Sequence, residues 1–80
     1  MQINIISPDS KLYSGDIHLV QLPGEGGSFE IMQHHAPLIA TLAKGDIKVI
    51  TKEGEELFFK TDGGVVEVKN NEVVLLTTKA

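Results

Sequence analysis

The residue types that could do chemistry in this chain fall into a few short clusters. Gly24-Glu25-Gly26-Gly27 has the glycine density of a phosphate-cradling loop. Such loops deliver the anion to the N-terminus of a following helix, usually beside a lysine. Here a strand-like run follows and Glu25 adds negative charge, so the stretch reads as a mobile hairpin loop. His34-His35 offers two metal ligands, with His18 the only other histidine. Neighbours on a strand point to opposite faces and do not converge on one ion. One solvent-facing and one structural or interface histidine is the reading. Glu53, Glu55 and Glu56 could supply paired carboxylates, but acid–base work needs a cleft and these flank a turn. Ser7, Ser10, Ser14 and Ser28 stand in no nucleophile motif. No catalytic residue, cofactor site or metal site is expected.

Composition narrows the partners. The chain has 80 residues, enough for one domain over 1–80, with a modest core. Net charge is −4, from eleven acids against seven lysines and no arginine. That balance argues against nucleic acid and against anionic lipid surfaces. Without arginine there is no planar bidentate clamp for phosphate or carboxylate. There is no cysteine, hence neither disulfide nor thiolate metal site. No apolar run approaches the roughly 20 residues of a membrane span, so no direct lipid insertion is expected. Met1 to Ile6 has no basic residue ahead of its short apolar stretch and does not read as a signal peptide. The cytoplasm, or a membrane surface reached through another protein, is the expected location.

The elements that must position these residues are strands. Eight glycines and three prolines punctuate the chain. Between them lie runs rich in β-branched and aromatic residues: Ile3–Ser7, Asp16–Leu22, Ser28–Met32, Asp46–Thr51, Glu56–Thr61, Val65–Lys69 and Glu72–Thr78. Short strands at this spacing predict a sandwich or barrel. Ser14-Gly15 reads as a turn, Asn70-Asn71 as a two-residue hairpin turn, because asparagine tolerates positive φ. His35–Lys44 is the one helix candidate, with Leu38 and Leu42 four apart, but an extended segment is preferred. In Glu72–Thr78 both faces are largely apolar. Such a strand is expected to be covered on both sides, by a second sheet and by something further, such as a partner. Phe58-Phe59 and Val65-Val66 add to this excess of apolar surface, which reads either as a tight core or as a docking face.

At Gly27-Ser28-Phe29-Glu30-Ile31-Met32-Gln33-His34-His35-Ala36-Pro37-Leu38 the chain resembles the epsilon subunit of the rotary F-type ATP synthase. That family usually reads Gly-x-Phe/Leu-Gly-Val/Ile-Leu-Pro-Gly/Asn-His-Ala-Pro-Leu. Three further stretches agree in order: Pro8 through Tyr13-Ser14-Gly15, Leu22-Pro23-Gly24, and Gly63-Gly64-Val65-Val66-Glu67-Val68 followed by Asn71-x-Val73. Together they cover nearly the whole chain. Glu30 stands where the family usually has glycine, and Gln33-His34 where it has Pro-Gly or Pro-Asn.

The resemblance implies an all-β fold, a flattened β-sandwich of about ten short strands. It implies a non-catalytic stalk subunit that docks to the gamma subunit and to the c-subunit ring, coupling proton or sodium flow to ATP synthesis. Membership of a large hetero-oligomer, peripheral on the cytoplasmic face of the bacterial inner membrane, follows from it. The ring-facing positions would be Gly26, Gly27, Ser28 and Glu30; the gamma-facing ones Ser7, His35 and Ala40. Glu30 would find a lysine or arginine on the ring. The family usually continues into a pair of C-terminal helices that bind ATP and inhibit hydrolysis, where this chain reaches Thr77-Thr78-Lys79-Ala80. The expectation is a short subunit lacking that arm and insensitive to ATP. The contrasting reading is a free-standing ligand-binding sandwich, for instance for sugars. Sugar sites usually display aromatic faces, and one tyrosine, three phenylalanines and no tryptophan make it the weaker choice.

Overall fold

A computed structural model of the chain describes residues 1–78. Among them are eight strands and no helix: β1 (Gln2–Ile6), β2 (Lys11–Gly24), β3 (Gly27–Met32), β4 (Leu38–Leu42), β5 (Gly45–Thr51), β6 (Glu56–Thr61), β7 (Gly64–Lys69) and β8 (Glu72–Thr77). The all-β sandwich is as expected, with fewer and longer strands than the ten anticipated. The main reason is β2. It runs 14 residues through Ser14-Gly15, which does not turn. Gly15 stays in the strand because the Tyr13 ring lies over it; a Cβ there would come within 2.7 Å of the Tyr13 hydroxyl. The aromatic ring supplies the packing that glycine lacks. Residues 38–42, the helix candidate, form strand β4. Lys79 and Ala80, expected to close the chain after the last strand, lie outside the described residues.

The long β2 belongs to two layers. Its first half pairs antiparallel with β1, which continues through a parallel pairing to β8 and then to β7 and β4. Its second half has β3 on one edge and β5 on the other, since Leu19 faces both Met32 and Ile50; β6 follows β5. Gly24 opposite Leu42 links β2 back to β4. The two layers close on a core of Ile3, Ile5, Ile17, Val20, Leu22, Ile31, Leu42, Ile47, Val49, Val66, Val68, Val73 and Leu75, each at most 3% exposed. They alternate along the strands, as a two-faced strand requires, except in β2, where an irregularity between Ile17 and Leu19 sets Ile17 and Val20 three apart. Phe59 packs inward on Tyr13, with ring centroids 5.7 Å apart. The buried hydroxyls of Thr61 and Thr77 lie 2.6 Å apart, and Thr61 also donates to the Gly63 carbonyl. A buried polar pair of this kind is tolerated because its groups are bonded.

The turns follow local chemistry. Asn70 and Asn71 take φ of 53° and 61° and join Lys69 to Glu72 by the expected two-residue hairpin. Gly64 has φ of 149°, and a Cβ on it would fall on the Leu76 carbonyl oxygen of the neighbouring strand. That position requires glycine on two independent grounds.

Candidate docking surface

Alternation settles which residues of the apolar runs face outward. In β8, Val73, Leu75 and Thr77 are buried, while Val74 is half-buried and Leu76 is 50% exposed. Among the described residues no second layer covers the outer face. Leu76 faces Val65, itself 37% exposed, across the β7–β8 ladder. In β4, Leu38, Ala40 and Leu42 turn inward, leaving Ile39 73% exposed beside them. Ile6 of β1 lies next to Leu76 in the parallel pairing. Val65, Leu76 and Ile6 thus stand in line across three strands of one layer, and Ile39, directly opposite Glu67 and diagonal to Val65, extends this apolar stripe onto β4. A monomeric domain rarely leaves such a stripe without use.

The expected site residues distribute around this stripe. Glu25 and Gly26 form the tip of the β2–β3 hairpin, and Gly27, at φ 128°, opens β3 opposite Gly24. The tip is fastened to β4: Thr41 Oγ1 donates to Glu25 Oε1 at 2.8 Å and the Ala43 N–H donates to the Pro23 carbonyl at 2.7 Å. Between hairpin and stripe lies a groove of 540 Å³ whose lining includes Gly26, Gly27, Phe29, Ala40, Ile39 and Val65. Ala40 reaches this groove although its methyl packs on the core. Ser7 sits at the start of the β1–β2 turn, where its hydroxyl donates to the Ser10 carbonyl at 3.1 Å and accepts from the Ser10 N–H at 3.2 Å. With Ile6 and Pro8 it borders Leu76. Gly26, Gly27 and Ala40 therefore lie at the β4 end of the stripe, and Ser7 at its β1 end.

Ser28 and Glu30 belong elsewhere. They project, with Met32, from the outer face of β3, where Ser28 Oγ accepts from Gln21 Nε2 at 3.2 Å. Glu30 is exposed in an ordinary strand conformation, so glycine is not needed there. His35 is also apart. The two histidines lie in the connection between β3 and β4, not on a strand. His34 occupies the position where the family has glycine or asparagine and takes φ of 60°. Its N–H donates to Asn71 Oδ1 at 2.9 Å, which holds the strained turn against the β7–β8 hairpin. His35 is exposed, with Nδ1 2.7 Å from the Ala36 carbonyl. Sequence reasoning placed no role on Ile39. The outward position of an isoleucine between Leu38 and Ala40 was the available signal, once the segment is read as a strand.

A polar cluster braces the same end as His35. The Met1 α-amino group donates to Asp16 Oδ1 at 3.0 Å and to Gln33 Oε1 at 3.1 Å. Gln33 Nε2 donates to the Ile17 carbonyl at 2.8 Å, and Asn71 Nδ2 donates to Gln33 Oε1 at 3.3 Å. The hydrogen bond from the Met1 ammonium holds the Asp16 carboxyl below its ordinary value, with its charge and that of Lys52 adding to the effect and partial burial opposing it. Among the described residues no group of three or more His, Cys, Asp or Glu is arranged to hold a metal ion. No helix of the described residues is long and apolar enough to cross a membrane.

These features define a class: a small β-sandwich module whose distinguishing surface is an uncovered apolar stripe ending at a fastened glycine hairpin. The chain belongs to the family described as ATP synthase, delta/epsilon chain, β-sandwich domain, which matches residues 1–80. It is 37% identical over 79 residues to the ATP synthase epsilon chain of Dichelobacter nodosus, covering 99% of this chain and 55% of that protein. It is 37% identical over 76 residues to the ATP synthase epsilon chain of Chlorobium limicola, covering 95% of this chain and 86% of that one. The chain thus spans little more than half of some relatives and most of others. Its fold is shared with a chain of the Euglena gracilis mitochondrial ATP synthase, at a TM-score of 0.88 and 16% identity, covering 96% of this chain and 49% of that one. A chain of the Tetrahymena thermophila mitochondrial ATP synthase central stalk and c-ring matches at 0.83 and 16%, covering 99% and 63%.

Proposed function

We propose that this chain is a non-catalytic subunit of the central stalk of a rotary ATP synthase, docking to the gamma subunit and to the c ring. The apolar stripe of Ile39, Val65 and Leu76 carries the reading. It supplies a flat, dehydratable strip, flanked by Ala40 and Ser7, on which a partner can bury surface. Gamma is the partner proposed for this face, with His35 at its far end. The hairpin end at Gly26 and Gly27, with Ser28 and Glu30 on the adjoining β3 face, is proposed for the ring. Fastening of the hairpin to β4 supports that role, because a torque-bearing contact needs a tip that does not swing independently of the sheet. Family membership and the fold shared with ATP synthase chains support the assignment. Attachment through these partners would leave the chain peripheral on the cytoplasmic face of a bacterial membrane. Titration of the chain with a purified gamma subunit tests the proposal. A stoichiometric complex weakened by Ile39→Asp is expected; absence of any complex overturns it. For the ring contact, Glu30→Ala is expected to weaken binding to isolated c rings, and unchanged binding removes Glu30 from the interface.

A further inference from the structure

Among the described residues β6 has one neighbour, β5, and its other edge is open. The register says which residues that edge presents. The Thr51 N–H donates to the Glu55 carbonyl at 2.8 Å across the β5–β6 turn. Hydrogen-bonded pairs alternate along an antiparallel ladder. Val49 with Leu57 and Ile47 with Phe59 are therefore the bonded pairs. Glu56, Phe58 and Lys60 turn their N–H and C=O groups away from β5, toward the open edge. All three side chains also stand exposed on the outer face, Phe58 at 63%.

This edge is complementary to itself. A two-fold axis through Phe58 places a second β6 antiparallel to the first. Phe58 then faces Phe58 of the second copy, and Glu56 faces Lys60 of the second copy in both directions. Every outward N–H and C=O of these residues gains a partner, two bonds per facing pair. The exposed rings meet at the axis, and opposite charges sit at both flanks on one face. A lysine on an edge strand ordinarily discourages pairing. Here Glu56, four residues before it, neutralises Lys60 in this one register. The present partner of Lys60, Asp46 at 3.4 Å, is an exposed pair that holds it weakly. Among the described residues the other strand with a single neighbour, β3, lacks this property. A two-fold through the middle of its outward set would bring Glu30 against Glu30.

We propose that the free chain self-associates through β6, as a two-fold dimer in which the β3–β2–β5–β6 layer continues into the second copy. The surface is separate from the Ile39–Val65–Leu76 stripe, so this proposal stands or falls independently of docking to gamma. One paired edge buries less than a standard interface, so dimerisation in the range of about 0.1–1 mM is expected. Sedimentation velocity and concentration-dependent amide line broadening of the 80-residue chain, from about 0.02 to 1 mM, test it. Glu56→Lys is expected to weaken the dimer about tenfold, because each flank then sets lysine against lysine. Lys60→Glu should do the same, and the double exchange Glu56→Lys with Lys60→Glu should restore it. Phe58→Pro removes both the outward N–H and the exposed ring, leaves the bonds to β5 in place, and should abolish the dimer while the fold is kept, which a circular dichroism melt verifies. A chain that stays monomeric to about 1 mM overturns the proposal. So does a dimer unaffected by Glu56→Lys, or one that the double exchange fails to restore.

Discussion

Truncating Ile39 to alanine is the sharpest test of the docking face, because the structure fixes the size of the effect. Burying an isoleucine side chain fully is worth roughly 1.5–3 kcal/mol. Ile39 is 73% exposed, so about 1–2 kcal/mol remains to be gained when a partner covers it. Alanine forfeits most of that, and the dissociation constant for gamma should rise about five- to tenfold. Leu76, 50% exposed, has less left to bury and Val65, at 37%, less again, so the losses should rank Ile39, then Leu76, then Val65. Ile39→Ala should leave the unfolding free energy within about 0.5 kcal/mol, since an exposed side chain contributes little to the fold. Calorimetric titration at low-micromolar concentration measures the affinity, and urea unfolding of the same samples measures the stability. Phe58→Ala, on the other layer and 63% exposed, is the control and should not change affinity. Unchanged binding by Ile39→Ala together with weakened binding by Phe58→Ala would refute the reasoning and place gamma on the opposite face.

Three further outcomes follow from the geometry. Gly64→Ala should cost about 3 kcal/mol or more in denaturant unfolding, because the left-handed φ of 149° and the Leu76 carbonyl both oppose a side chain; a loss under half of that would mean the β7–β8 ladder yields more easily than its packing suggests. Asn71→Ala should cost about 1–2 kcal/mol, by removing the acceptor of the His34 N–H and leaving alanine at φ 61°; thermal denaturation checks this. The Asp16 carboxyl is depressed in the folded chain. Its contribution is therefore present above the unfolded carboxylate value and is lost as pH falls through the folded one. Asp16→Asn should flatten the acid limb of stability against pH, and an unchanged acid limb would show that the contacts of Asp16 with Met1 and Lys52 add nothing.

Much of the fold was legible because β-sandwich strands announce themselves locally. Punctuation by glycine and proline bounded most strands to within a few residues, and Asn70-Asn71 revealed its turn because few residues accept positive φ at two successive positions. Ser14-Gly15 misled for the opposite reason. A small, flexible pair looks like a turn unless one knows that the Tyr13 ring covers Gly15, and that covering is a packing fact. His34 shows the same limit. Histidine seldom takes a positive φ, and only the Asn71 side chain, 37 residues away, explains why it does so here.

The sequence by itself determined that this chain would be all-β, acidic, without arginine or cysteine, and related to ATP synthase epsilon chains, since those properties rest on composition and ordered motifs. It also showed more apolar strand surface than a small core needs, without saying where the surplus goes. Tertiary structure decided that. Strand alternation sends every second residue outward, but which register is inward depends on the opposing layer. Only the closed sandwich shows Val66 and Leu75 sealed inside, Val65 and Leu76 facing each other outside, and Ile39 diagonal to Val65 on the next strand. An interface is a property of adjacent strands, and strand adjacency is set by pairing between residues far apart in the chain.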